Sequence, residues 1–78
     1  MSSVAEAVVR IVAEVTRRNP GDLGAETRLA EDLMIKSINR IELAAILEEE
    51  VKVPISSFDI LKPRTIGDIV AMIAAKQR

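Results

Sequence analysis

The three prolines of this chain, Pro20, Pro54 and Pro63, fall between its long segments of helical period and never within one. Proline ends or kinks a helix, so these positions divide the chain before any other feature is read. Ahead of Pro20, Val4, Ala7, Val8, Ile11, Val12 and Val15 recur at the spacing of one buried helical stripe, and Glu6, Arg10, Glu14, Arg17 and Arg18 take the other face. Ser3 and Glu6 fit a capping box, which predicts a helix over residues 3–18 that ends at Asn19-Pro20-Gly21. Residues 37–51 hold no Gly or Pro and are rich in Ile, Glu, Leu and Ala, which predicts a second helix stopped by Val53-Pro54. Ser56 to Leu61 has room for one helical turn before Pro63. Thr65, with Asp68 three residues on, caps a last helix whose buried stripe is Ile66, Ile69, Val70 and Ile73. Lys76 and Arg78 suit the negative end of its dipole. No alternating strand pattern competes. Residues 20–36 keep no period, yet Leu23, Leu29, Leu33, Met34 and Ile35 make them too apolar for a free linker. The expectation is one all-α domain over residues 1–78. It is a small four-helix bundle, three helices long and one short, with a long structured loop between helices one and two whose apolar residues are pinned to the core.

Composition removes several functions. The 78 residues include no Cys and no His, which excludes thiolate and imidazole metal sites, disulfides and a Cys or His nucleophile. Phe58 is the one aromatic residue and the net charge is -1, which argues against nucleic-acid binding. No apolar run approaches a bilayer span, and acids interrupt the first twenty residues. A cytoplasmic chain without signal peptide or membrane span is expected, one that performs no catalysis of its own.

Winding residues 38–51 at about 100° per residue separates two apolar faces. Leu43, Ala44, Ile46, Leu47 and Val51 share the face assigned to the core. Ile38, Ile41 and Ala45 lie opposite, among Glu42, Glu48 and Glu49. Periodicity alone leaves two readings open: a helix buried on both sides, or an exposed apolar stripe among acids. Ser37, at the loop-to-helix junction, also has two readings. It is an ordinary N-cap, or it is an exposed hydroxyl beside orphan amides, where a phosphate ester is electrostatically welcome.

The run Glu31-Asp32-Leu33-Met34-Ile35-Lys36-Ser37-Ile38, followed by Ile41-Glu42-Leu43 and Leu47-Glu48-Glu49-Glu50, resembles the acyl carrier protein family. The resemblance extends to the long first loop, to Val53-Pro54-Ile55 and to Thr65-Ile66-Gly67-Asp68. In that family a loop ending in Asp-Leu-Gly-x-Asp-Ser-Leu delivers a serine that receives a phosphopantetheine arm, whose thiol holds acyl groups as thioesters. By position, the resemblance makes Ser37 the attachment residue. It makes Lys36, Ile38, Arg40, Ile41, Glu42, Ala45 and Glu48 the face that docks on partners. Those partners would be a phosphopantetheinyl transferase and acyl-loading and acyl-transferring enzymes with basic docking patches, and the carrier would be a monomer in a lipid, fatty acid or polyketide pathway. Three positions depart from the family pattern. Met34 stands for the usual glycine, Lys36 for the acid before the serine, and Ile38 for the leucine after it. Arg40 adds a second cation. From Glu31 to Glu50 the acids are Glu31, Asp32, Glu42, Glu48, Glu49 and Glu50, against only Lys36 and Arg40. The lower part of the helix can steer toward basic surfaces while its top cannot, as in a specialised carrier. Three other readings stay open. One is an unmodified carrier-like interaction module, motivated by Lys36. Another is an aminoacyl carrier, since Val53 to Asp59 is similar to that stretch of D-alanyl carriers. The third is a bundle that self-associates through Ile38, Ile41 and Ala45.

Overall fold

The computed structural model describes residues 3–77. Four α-helices follow in order: α1 (Val4–Thr16), α2 (Ser37–Val51), the short α3 (Ser57–Ile60) and α4 (Ile66–Lys76), with a 3-10 turn at Pro20–Asp22. Helix α1 packs against α2 and α4, and α3 packs against α2. Fourteen buried residues among those described form one core cluster, from Val8, Ile11 and Val12 of α1 to Leu43, Ala44 and Leu47 of α2 and Ile66, Ile69 and Ile73 of α4. Among the described residues no helix is long and apolar enough to cross a membrane.

The predicted starts of α1 and α4 hold because each has a side chain to satisfy its orphan amides. Ser3 and Glu6 exchange hydrogen bonds at α1, and Thr65 and Asp68 do so at α4. Ser56 and Asp59 build a third capping box at α3, which lets so short a helix persist. The end of α1 differs from expectation. Arg17, at φ 57°, turns left-handed and Arg18 N–H reaches back to Ala13 O, closing the helix two residues early in a Schellman arrangement. Pro20 and Gly21 start the 3-10 turn, whose amide at Gly21 is capped by Asn19 Oδ1.

The loop before α2 is ordered, as expected, with Leu29, Leu33 and Ile35 buried and Leu23 partly so. Its backbone is tied to the start of α4 by Leu29 N–H to Arg64 O, Ile66 N–H to Thr27 O and Gly67 N–H to Ala25 O, each within 2.9–3.1 Å. A Cβ at Gly67 would stand 3.0 Å from Ala25 O and crowd this contact. Met34 departs from the expectation: it is not pinned to the core but is 76% exposed, in a left-handed conformation at φ 56°. The position where the carrier family keeps glycine is thus one that a Cβ strains. Met34→Gly is expected to stabilise the fold by about 0.5–1 kcal/mol, the relieved strain less the greater freedom of glycine in the unfolded chain. Urea denaturation measures it, and an unchanged or lower midpoint would contradict the assignment of strain.

Lys76 does more than complement a dipole. Its ammonium lies 3.0 Å from Asp59 and joins the end of α4 to α3, while Arg78 lies outside the described residues. The Ser56 amide, with the Lys76 ammonium adding to it, holds the Asp59 carboxyl down to about 2. A carboxyl whose folded value is depressed adds stability that is present above its ordinary value and lost as pH falls from about 4 through about 2. Asp59→Asn is therefore expected to unfold at lower urea than the parent at neutral pH, the two curves converging by about pH 2. A gap that stays constant down to that pH would show that Asp59 does not act through its charge.

Candidate functional site

Ser37 is the first residue of α2, not its cap. The N-cap is Lys36, in extended conformation, whose N–H donates to Asn39 Oδ1 at 3.3 Å. A lysine side chain has no acceptor, so the first-turn amides of Ile38 and Asn39 receive no side-chain cap. The ordinary N-cap reading of Ser37 is therefore corrected by one residue. Among the described residues the Ser37 hydroxyl makes no hydrogen bond, and the residue is exposed. A free hydroxyl thus sits at the positive end of a fifteen-residue helix whose first amides are still open.

The faces of α2 are also settled. Leu43, Ala44 and Leu47 are buried and Val51 partly so, whereas Ile38, Ile41 and Ala45 face solvent, Ile38 with 72% of its surface exposed. The stripe is not covered by a second layer. Ile46 is the correction here: assigned to the core, it is 38% exposed, because α1 and α3 cover only the sides of α2 next to Leu43, Ala44 and Leu47. It widens the exposed apolar stripe.

Two residues expected to meet partners are engaged within the fold. Arg40 is half-buried, and its Nη1 donates to the carbonyls of Ile60, Leu61 and Pro63 at 3.2, 3.2 and 2.5 Å. It clamps the α3–α4 connection to the first turn of α2 and is not a free docking cation. Glu48 accepts the Ile55 N–H at 2.7 Å and so fixes the stretch after Pro54. The acidic excess shrinks in the same way. The Arg28 guanidinium, followed by its backbone amide, holds the Asp32 carboxyl below its ordinary range, at 3.0 Å from Nη2. Glu50 lies 3.0 Å from Arg10 on α1. Of the six acids from Glu31 to Glu50, Glu31, Glu42 and Glu49 remain without an intramolecular partner among the described residues. Lys36 is exposed and stands outside every ion pair described. Sequence reasoning missed Met34, Phe58 and Leu61 as exposed apolar surface, although Pro63 and the polar neighbours of Phe58 already marked that stretch as a surface connection.

The family model described as phosphopantetheine attachment site matches residues 6–73. The chain belongs to that family, the family of the acyl carrier proteins. It is 35% identical over 66 residues to the meromycolate extension acyl carrier protein of Mycobacterium tuberculosis, a match covering 85% of this chain. It is 36% identical over 64 residues to an acyl carrier protein of Rhodococcus erythropolis, covering 82% of this chain and 70% of that protein. The chain spans 57% of the length of the mycobacterial relative. A solved structure assigned as a candidate acyl carrier protein from Mycobacterium tuberculosis superposes with TM-score 0.82 at 27% identity, over 94% of this chain and 97% of the other. The all-α bundle expected from proline placement and periodicity is therefore the acyl carrier fold. The phosphopantetheine expected from the resemblance is the prosthetic group of the family.

Proposed function

We propose that this chain is a carrier protein without catalysis of its own, and that Ser37 is the residue that takes the phosphopantetheine arm. The observation that carries the proposal is the state of Ser37: exposed, unbonded, and placed at an uncapped helix N-terminus. Open first-turn amides and the positive dipole end favour the phosphate of a Ser37 ester, and the adjacent Lys36 ammonium adds to that attraction. The residues present fit the group. In loading, the bond from Ser37 Oγ to phosphorus forms as the pyrophosphate of coenzyme A breaks, the adenosine bisphosphate half leaves, and the hydroxyl proton passes to a base of the transferase. The bound group supplies a thiol on a long arm, on which acyl groups are carried as thioesters and kept at high effective concentration near successive partners. The protein's own part is to hold Ser37 outward on a rigid helix and to present Ile38, Ile41, Glu42 and Ala45 beside it as the docking address. Meromycolate extension in the mycobacterial relatives and the apolar stripe of α2 support an acyl cargo in a lipid pathway.

Incubation with coenzyme A, magnesium and a broad-specificity phosphopantetheinyl transferase, followed by intact mass measurement, tests the reading. A gain of one phosphopantetheine is expected. An unchanged mass with several such transferases would overturn it in favour of an unmodified interaction module, with Lys36 as the obstacle.

A further inference from the structure

Cations gather at the serine end of α2 from parts of the chain that lie far apart in sequence. Lys36 immediately precedes Ser37 and is exposed. Lys62 and Arg64, both exposed, come from the α3–α4 connection that Arg40 binds to the first turn of α2. Arg40, Lys62 and Arg64 line a polar cleft of about 380 Å³, together with Ala30, Leu61 and Pro63, and Glu31 is its one carboxylate. Ser37 and Arg40 are three residues apart on one helix, so the cleft opens about one turn from the serine. The Lys62 ammonium is steadied 4.5 Å over the ring of Phe58, itself 69% exposed. Among the described residues, no ion pair involves Lys36, Lys62 or Arg64. Met34 and Ile38, which flank Ser37 in sequence, and Leu61, whose carbonyl Arg40 binds, add exposed apolar surface. The free acids of α2, Glu42 and Glu49, lie further along the helix.

We propose that the serine end of this face docks a partner protein surface carrying carboxylates around an apolar centre, with bases confined to where that partner meets Glu42 and Glu49. The inference rests on Ser37 being the attachment residue and names the partner chemistry for that same site. A uniformly basic partner surface would bring like charges against Lys36, Lys62 and Arg64 together, with Glu31 in the cleft and Asp68, which accepts the Arg64 N–H at 3.1 Å, as the carboxylates beside them. An acidic surface would pair all three. Exposed pairs contribute little one at a time, and three acting together amount to about a tenfold change in apparent affinity at low salt.

The test is a charge exchange read by intact mass and by the KM for the carrier. The probes are a phosphopantetheinyl transferase whose carrier-facing surface is basic, and the same enzyme with those bases changed to glutamate. The carriers are the parent chain and its Lys36→Glu, Lys62→Glu, Arg64→Glu triple variant, whose helicity is checked by circular dichroism. The basic enzyme is expected to show a KM about tenfold lower for the triple variant than for the parent, and the glutamate enzyme the reverse. Both preferences should fade as salt is raised. With the basic enzyme alone, the KM for the parent chain should fall on adding salt. Equal KM values for the two carriers, or a parent chain favoured by the basic enzyme at low salt, would overturn the inference while leaving attachment at Ser37 intact. No mass gain in any pairing, under conditions where a conventional acidic carrier is loaded, would instead overturn the attachment itself and this inference with it.

Discussion

Ser37→Ala is expected to abolish phosphopantetheine loading completely while unfolding at the same urea midpoint as the parent, within about 0.5 kcal/mol. The two halves of this result have separate causes. Loading fails because the attacking oxygen is gone, and no neighbouring hydroxyl replaces it, the nearest in sequence after it being Ser56 beyond the whole length of α2. The fold survives because Ser37 caps nothing: its side chain bonds to no group among the described residues, and it is exposed. A serine acting as N-cap would have cost about 1 kcal/mol on removal, so the midpoint separates the two roles. Alanine at the first helical position also has slightly better helix propensity. A variant that still gained the mass, or one that lost more than about 1 kcal/mol, would show that the serine does something other than carry the arm.

The second large effect concerns Arg40. Arg40→Met keeps the aliphatic stem and removes the guanidinium that serves the carbonyls of Ile60, Leu61 and Pro63. Hydrogen bonds to a charged group are worth more than neutral ones, and the carbonyls of Ile60 and Pro63 belong to buried residues that lose their partner. A loss of about 2 kcal/mol is expected, which for a domain of this size lowers the melting temperature by about 10 °C. Arg40→Lys restores the charge without the planar fork and should recover only part of the loss. Thermal denaturation followed by circular dichroism measures all three proteins. An Arg40→Met variant as stable as the parent would mean that the clamp is dispensable, and that Arg40 is available to partners after all.

These two residues also show how far the sequence alone could be read. Helix existence and type were legible because the signals are local: apolar period, proline stops, and a Ser or Thr followed three residues later by an acid. The same pattern at Ser56 and Asp59 marks α3 as plainly as Ser3 and Glu6 mark α1. The end of α1 was not legible, because Arg17 adopts a left-handed conformation without the glycine that usually announces it. Met34 misled for the opposite reason: an apolar side chain was counted toward the core, while its backbone conformation turns it outward. Ser37 was placed at the right junction, and of its two readings the N-cap one fails, since a lysine, an unexpected N-cap, takes that position. Arg40 could not be read at all, because its three acceptors lie twenty or more residues away. Glu50 shares that fault, since Arg10 lies forty residues away, whereas Glu48 and Asp32, with partners only seven and four residues off, appear free because no helical period brings those pairs together. Counting charges along a helix therefore overstated the acidity of its exposed face and missed the cations that the α3–α4 connection brings to its top.

The most direct measurement is the location of the arm in the loaded chain. Trypsin cuts after Lys36 and Arg40, releasing residues 37–40, in which Ser37 is the single hydroxyl. After reaction with coenzyme A and transferase, the phosphopantetheine mass is predicted on that tetrapeptide and on no other fragment. The same mass on the fragment holding Ser56 and Ser57, or an unmodified tetrapeptide from a chain that had been loaded, would contradict the account.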